Sequence, residues 1–252
     1  MAEKISVIKQ EFLDAGIDEY AGLMEKYKDD ERSGVVNLIK KCQRELDKLY
    51  GEKERIYHMS EYERNYSMYH NICGIDEAGR GPLAGPVVAG AVILPKDCDI
   101  LYINDSKQLS EKKREELYDV IMEKAVAVGV GIATPQRIDE INILQATYEA
   151  MRQAIENLCV TPDILLNDAV TIPQVSIKQV PIIKGDAKSI SIGAASIIAK
   201  VTRDRMMKEY ANIYPEYGFE GHKGYGCASH IDAIKQYGPS PIHRRTFIKN
   251  FV

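Results

Sequence analysis

Four carboxylates in this chain follow apolar runs or tight turns, and that pattern points to metal-assisted chemistry. Asp76 and Glu77 are adjacent, follow the apolar run at 72–75, and precede Gly79, Gly81 and Gly85. Asp168 follows Ile164-Leu165-Leu166 by one residue, and Asp186 sits in Lys184-Gly185-Asp186-Ala187-Lys188. A carboxylate at the end of a buried strand is costly unless it is paired or bound to a metal. Carboxylate oxygens suit hard cations such as magnesium or manganese. The five cysteines (Cys42, Cys73, Cys98, Cys159 and Cys227) form no CxxC pair, and no His/Cys cluster suggests zinc.

Each acid also has a plainer reading. Asp76 and Glu77 could be a solvated strand end with a glycine turn, and Asp186 could be a helix N-cap, a common role for Asp. Neighbouring side chains in a regular strand point to opposite faces. For both acids to serve one site, the strand is expected to end or bulge at 76–77. The glycines also raise the question of a phosphate-binding loop. They run through Pro82 and Pro86 into another apolar stretch with no Lys-Ser, so neither the P-loop nor the dinucleotide fingerprint fits well.

The elements that must position these acids can be read from periodicity. Short apolar runs at 71–75, 87–94, 125–133, 163–170 and 180–184 predict strands. Helical spacing is expected after Ser110 to Lys124, over 136–158, over 189–210 and over 228–236. Strands followed by helices, with one close strand pair, predict an α/β three-layer domain around a mixed central sheet, with a C-terminal helical segment. Residues 1–70 lack strand alternation and carry apolar residues such as Val35, Leu38, Ile39, Cys42, Leu46 and Leu49 at helical spacing. They predict an N-terminal helical extension, leaving 71–252 as the main domain.

With 45% apolar residues, 252 residues can bury a sizeable core. The net charge of −4 is uneven: residues 1–70 carry −3, 71–180 carry −6 and 181–252 carry +5. A basic C-terminal third beside an acidic middle suits phosphate contacts next to metal-binding carboxylates, although uneven surface charge alone would look the same. No apolar run is long enough to cross a bilayer, no signal peptide opens the chain, and the unpaired cysteines fit a reducing compartment, so a cytoplasmic location is expected.

The stretch from Gly74 to Gly81 resembles the signature of the type 2 ribonuclease H family, ribonuclease HII. The resemblance continues through Asn104-Asp105-Ser106-Lys107-Gln108-Leu109, Lys184-Gly185-Asp186 and Ala194–Asp204. It extends to His222-Lys223-Gly224-Tyr225-Gly226 and Gly238–Arg245, covering roughly residues 71–248 in family order. Asn167 departs from the pattern, since the family usually has an aliphatic residue before its third aspartate.

The resemblance implies a ribonuclease H-like fold and an endonuclease acting on RNA/DNA hybrids and on DNA containing ribonucleotides. By the same resemblance the cut would fall 5′ to a ribonucleotide and leave 3′-hydroxyl and 5′-phosphate ends, as suits ribonucleotide removal in replication and repair. It implies two magnesium or manganese ions held by Asp76, Glu77, Asp168 and Asp186, with Asp76 shared, Glu77 and Asp168 on one ion and Asp186 completing the other. Backbone groups of Gly79, Arg80 and Gly81 would bond the ribose 2′-hydroxyl, with Tyr225 supporting them. Lys107, Lys184, Lys223, Arg244 and Arg245 are candidate phosphate contacts, each also readable as a solvated charge. The chain is expected to act as a monomer away from membranes, with residues 1–70 open to a protein partner. Two competing classes are a nucleic-acid binder without catalysis, which needs no four acids, and a DNA exonuclease, which needs no Gly-Arg-Gly or Tyr225.

Overall fold

The computed structural model describes residues 3–252. The chain divides into two compact units, one ending at Tyr57 and one spanning His58–Val252. The first is helical, with α1 (Ile5–Asp14), α2 (Tyr20–Lys26) and the greater part of α3 (Ser33–Met59). Its core gathers Ile8, Phe12, Tyr27, Val35 and Cys42, the apolar stripes that helical spacing predicts.

In the second unit, α4 (Glu61–Asn65) precedes a sheet of β1 (Ile72–Ala78), β2 (Val87–Ile93), β3 (Ala127–Ala133), β4 (Ile164–Asp168) and β5 (Lys178–Ile182). The strand order is β3-β2-β1-β4-β5. The β1–β2 and β2–β3 pairs are antiparallel, whereas β1–β4 and β4–β5 are parallel. The sheet is therefore mixed and the architecture α/β, as the order of apolar runs predicted. No helix among the described residues is long and apolar enough to cross a membrane.

Helices cover both faces of the sheet. On one face, α6 (Pro135–Glu156) packs against β2 and β3 over a core that includes Ile75, Ala89, Ala91, Ala150, Met151, Ala154 and Leu165. α6 starts at Thr134, whose hydroxyl caps the Arg137 N–H, and it breaks at Asn142, where φ is 67°. The Asn142 side chain accepts from the N–H groups of Leu144 and Gln145, so it caps the resumed helix; periodicity had shown one continuous element.

On the other face, α7 (Ile190–Ile213) packs against β1 and β2. Its first half, Ile190–Ala199, is wholly buried and rich in small residues. Close approach explains that composition: a Cβ on Gly74 would lie 2.1 Å from the Ser191 backbone carbon, so only glycine fits there. α5 (Glu111–Lys124), capped by Ser110, packs on α7. The chain then continues through α8 (Phe219–His222) and α9 (Ala228–Tyr237) to a turn-rich end.

Candidate active site

Asp76 and Asp168 share one level of the sheet. Ile75 pairs with Asn167 across the parallel β1–β4 ladder, so the next residues on each strand stand side by side. By alternation both lie on the face covered by α7, at the carboxyl ends of parallel strands, where open α/β sheets bind ligands. Asp186 reaches the same place by another route. It occupies a single 3-10 turn at Gly185–Ala187, entered through Lys184 in the left-handed region with φ 58°. The Gly185 N–H donates to Asp168 Oδ1 at 2.7 Å, which joins that turn to the end of β4. Asp186 is not the α7 cap; Ser189 is, its hydroxyl accepting from the Ile192 N–H.

The strand, expected to end or bulge at 76–77, does neither there and runs on to Ala78. The β1–β2 ladder runs in register through Glu77↔Ala89 and Ala78↔Val88. What changes is the other edge, where β1 loses β4 as a paired neighbour after Ile75. Glu77 nonetheless lines the same cleft as Ser106, Lys107 and Ser196. Its backbone N–H donates to Asp76 Oδ1 at 2.8 Å, and its carboxylate meets Arg80 at 3.3 Å.

The carboxylates press on one another. Burial, then the charge of Glu77, push Asp76 well above the ordinary carboxylate range, against a hydrogen bond from Ser196. Burial also raises Glu77, and Arg80 only partly opposes it. Asp186 is raised by burial, then by Asp105 and Asp168, with Lys107 pulling the other way. Lys107 is held above its usual value by Asp105, Asp76, Asp186 and Asp168, which outweigh its partial burial. Carboxylates from four separate segments thus act on one another, with Lys107 and Arg80 as the opposing charges. Such a cluster favours a cation.

Beside it lies a cleft of about 540 Å³, lined by Glu77, Gly79, Arg80, Gly81, Lys107 and Tyr225, among others. Tyr225 is 47% exposed, and a Cβ on Gly81 would lie 3.9 Å from its ring. Gly79 has φ +95°, and a Cβ there would fall 2.1 Å from the Nε of Arg203, so both conformation and space require glycine.

Of the candidate phosphate contacts, Lys107, Lys184 and Arg245 are exposed, and Lys223 is half-buried with its ammonium on the Glu220 carbonyl. Arg244 must be corrected. It is fully buried and donates to the backbone carbonyls of Gly79, Arg80 and Gly85, so it faces the protein, not a phosphate. Arg203 and Asp105 were not singled out from the sequence. Arg203 lies two turns beyond Ser196 and one turn beyond Lys200 on α7, a helical spacing that marks one face. Asp105 lies in the Asn104–Leu109 stretch of the resemblance, but no local pattern places it at Asp186; tertiary folding does.

Asn167 finds its reason in the fold. Fully buried at the end of β4, it donates from Nδ2 to the Val170 carbonyl and to Gln179 Oε1 at 2.8 Å. Gln179 in turn bonds both backbone groups of Ile172, so an amide pair replaces an aliphatic contact beneath Asp168.

The Ribonuclease HII family model matches residues 73–250, and that of the Ribonuclease HII N-terminal domain matches 4–67. Ribonuclease HII of Lachnoclostridium phytofermentans is 65% identical over 247 residues, covering 98% of this chain and 97% of the relative. Ribonuclease HII of Clostridioides difficile is 52% identical over 241 residues, covering 94% and 93%. Among solved structures, ribonuclease H2 from Pyrococcus horikoshii superimposes with a TM-score of 0.61 at 32% identity, over 72% of this chain and 96% of that one.

Proposed function

The chain belongs to the ribonuclease HII family, endoribonucleases that act on RNA paired with DNA, and we propose that it also cuts 5′ to single ribonucleotides embedded in duplex DNA. The observation that carries this reading is the carboxylate cluster of Asp76, Glu77, Asp168 and Asp186, set beside a cleft that contains Gly79–Gly81 and Tyr225.

The donor set fits two divalent cations, magnesium or manganese. All four groups offer hard oxygen, and burial with neighbouring negative charge raises Asp76, Glu77 and Asp186. Among the described residues no three of them form a ready-made cage for one ion. When bound, such a pair would neutralise charge on the phosphate, activate a water and stabilise the leaving 3′ oxygen.

The protein's own groups supply alignment. Gly79–Gly81 lets backbone approach the sugar closely, since a Cβ would hold it away. Tyr225, half exposed beside Gly81, offers a flat apolar surface for the adjacent deoxyribose. Lys107, exposed at the edge of the carboxylates, can meet a phosphate that approaches them. Residues 71–252 would form the catalytic domain and 1–70 an extension that supplies no ligand.

The test is cleavage of three duplexes of one sequence: all-DNA, DNA with one ribonucleotide, and an RNA/DNA hybrid, each with magnesium, manganese or chelator. Metal-dependent cutting of the second and third, with 3′-hydroxyl and 5′-phosphate ends, is expected. Cutting of the hybrid alone would remove the single-ribonucleotide activity, and cutting in chelator would remove the metals.

A further inference from the structure

Two buried arginines, Arg203 and Arg244, enclose the loop between β1 and β2 from within. Both are fully buried, and among the described residues neither forms an ion pair with a carboxylate. Burial pulls the Arg244 guanidinium down to about 9 and lowers Arg203 as well; a guanidinium keeps its charge in proteins. Burying a cation without a counter-ion is expensive, and it persists only where every N–H finds an acceptor. Here the acceptors are loop carbonyls. Arg203 donates to Ala84 and Pro86, and also to Lys223 two residues before Tyr225. Arg244 donates through Nε to Gly85 at 2.9 Å, through Nη1 to Arg80 at 2.8 Å and through Nη2 to Gly79 at 2.5 Å.

The Arg244 contacts have a geometric consequence. A trans peptide unit is planar, with its C=O and N–H pointing in opposite directions, and no cis bond occurs among the described residues. The Gly79 carbonyl belongs to the same peptide as the Arg80 N–H, and the Arg80 carbonyl to the same peptide as the Gly81 N–H. Turning both carbonyls onto the buried guanidinium turns both N–H groups away from it. Among the described residues neither N–H has an acceptor, while Gly79, Arg80 and Gly81 all line the cleft. Unpaired backbone donors at a cleft wall are positioned for a ligand's acceptor oxygen.

We infer that Arg244 is a positioning residue for ribose discrimination: it orients the Arg80 and Gly81 N–H groups into the cleft to meet the 2′-hydroxyl oxygen. The inference rests on the assignment of ribose reading to Gly79–Gly81 made above. A planar fork is needed, since three carbonyls around one guanidinium match its fixed donor directions. A lysine keeps the charge but not that geometry.

The experiment measures affinity in chelator, where nothing is cut, for a duplex with one ribonucleotide and for the all-DNA duplex of the same sequence. Wild type should prefer the ribonucleotide. In Arg244→Lys that preference should fall by about tenfold or more, the worth of one or two charge-oriented hydrogen bonds. All-DNA affinity should stay close to wild type, while the melting temperature falls because a lysine leaves some of the three carbonyls unpaired. A merely structural role would weaken both duplexes together, and a folded Arg244→Lys with unchanged preference overturns the inference. Absence of any preference in wild type would instead remove the ribose-reading assignment itself, and this inference with it. Should Arg244→Lys not fold, amide proton shifts in the wild-type protein decide. Arg80 and Gly81 should move downfield with the ribonucleotide duplex and not with all-DNA; equal shifts with both overturn the inference.

Discussion

The Asp168 carboxylate accepts a hydrogen bond from the backbone N–H of Gly185 at 2.7 Å, joining the end of β4 to the turn that carries Asp186. Residues seventeen apart in sequence are thereby held as one unit, and their position depends on backbone, not on a flexible side-chain pair. Asp76 stands at the next strand on the same level, so three of the four acids are fixed by sheet register and one hydrogen bond.

Replacing Asp76 by Asn should lower cleavage by at least about 10²-fold while leaving the fold intact, because it removes a charge without changing shape. Asp76 titrates above its unfolded value, so in metal-free protein its ionisation opposes folding. The cost is absent below the unfolded pKa, grows as pH rises toward the folded one, and is complete above it. Thermal unfolding of wild type and Asp76→Asn in chelator, from pH 4 upward, should therefore show the variant gaining on wild type as pH rises. A constant or narrowing gap would mean that Asp76 is not under charge strain.

The C-terminal histidines predict the opposite trend. Ser240 N–H donates to His243 Nδ1, which leaves His243 Nε2–H to donate to His230 Nε2 at 3.0 Å and His230 Nδ1–H to donate to the Tyr225 carbonyl. The chain needs both rings neutral, and burial lowers each to about 4, below the ordinary imidazole value of about 6.5. Stability from this network should be full above pH 6.5 and fall as pH drops toward 4. His243→Asn should flatten that part of the stability profile; an unaltered profile would show that the pair does not titrate there.

Tyr225→Ala should lower cleavage at a single embedded ribonucleotide more than cleavage within a long hybrid. A lone ribonucleotide allows one register, and misplacement by about 1 Å can cost on the order of 10²-fold. A long hybrid offers many registers. The measured quantity is the ratio of the two kcat/KM values at one salt concentration. An unchanged ratio would leave Tyr225 without a part in ribose reading.

Truncation should be sensitive to where it falls. Glu63 accepts from the Ser189 hydroxyl at 2.5 Å and from the Ser191 N–H at 3.0 Å, at the start of α7. A protein beginning at His58 should cut a single-ribonucleotide duplex, whereas one beginning at Ser67 should melt several degrees lower, by the loss of about 1–3 kcal/mol from those bonds. Equal melting temperatures for the two would assign Glu63 no structural weight.

The sequence by itself determined the class of fold and the kind of chemistry. Apolar runs of strand length, separated by helical spacing, are local signals, and they carry α6, α7 and the sheet strands with ends shifted by a few residues. The four candidate acids stand out in the sequence because carboxylates after apolar runs or tight turns are conspicuous against their neighbours. Other facts needed the tertiary structure. Whether Asp186 caps a helix or joins a cluster depends on Ser189 taking the cap. Whether Glu77 needs a bulge depends on where β4 leaves β1. Arg244 looked like a phosphate contact because a charged residue near the basic end of a chain is normally solvated. Its burial depends on carbonyls some 160 positions earlier, brought together by packing. Local patterns record what each segment prefers, while pairing across such separations is a property of the folded chain alone.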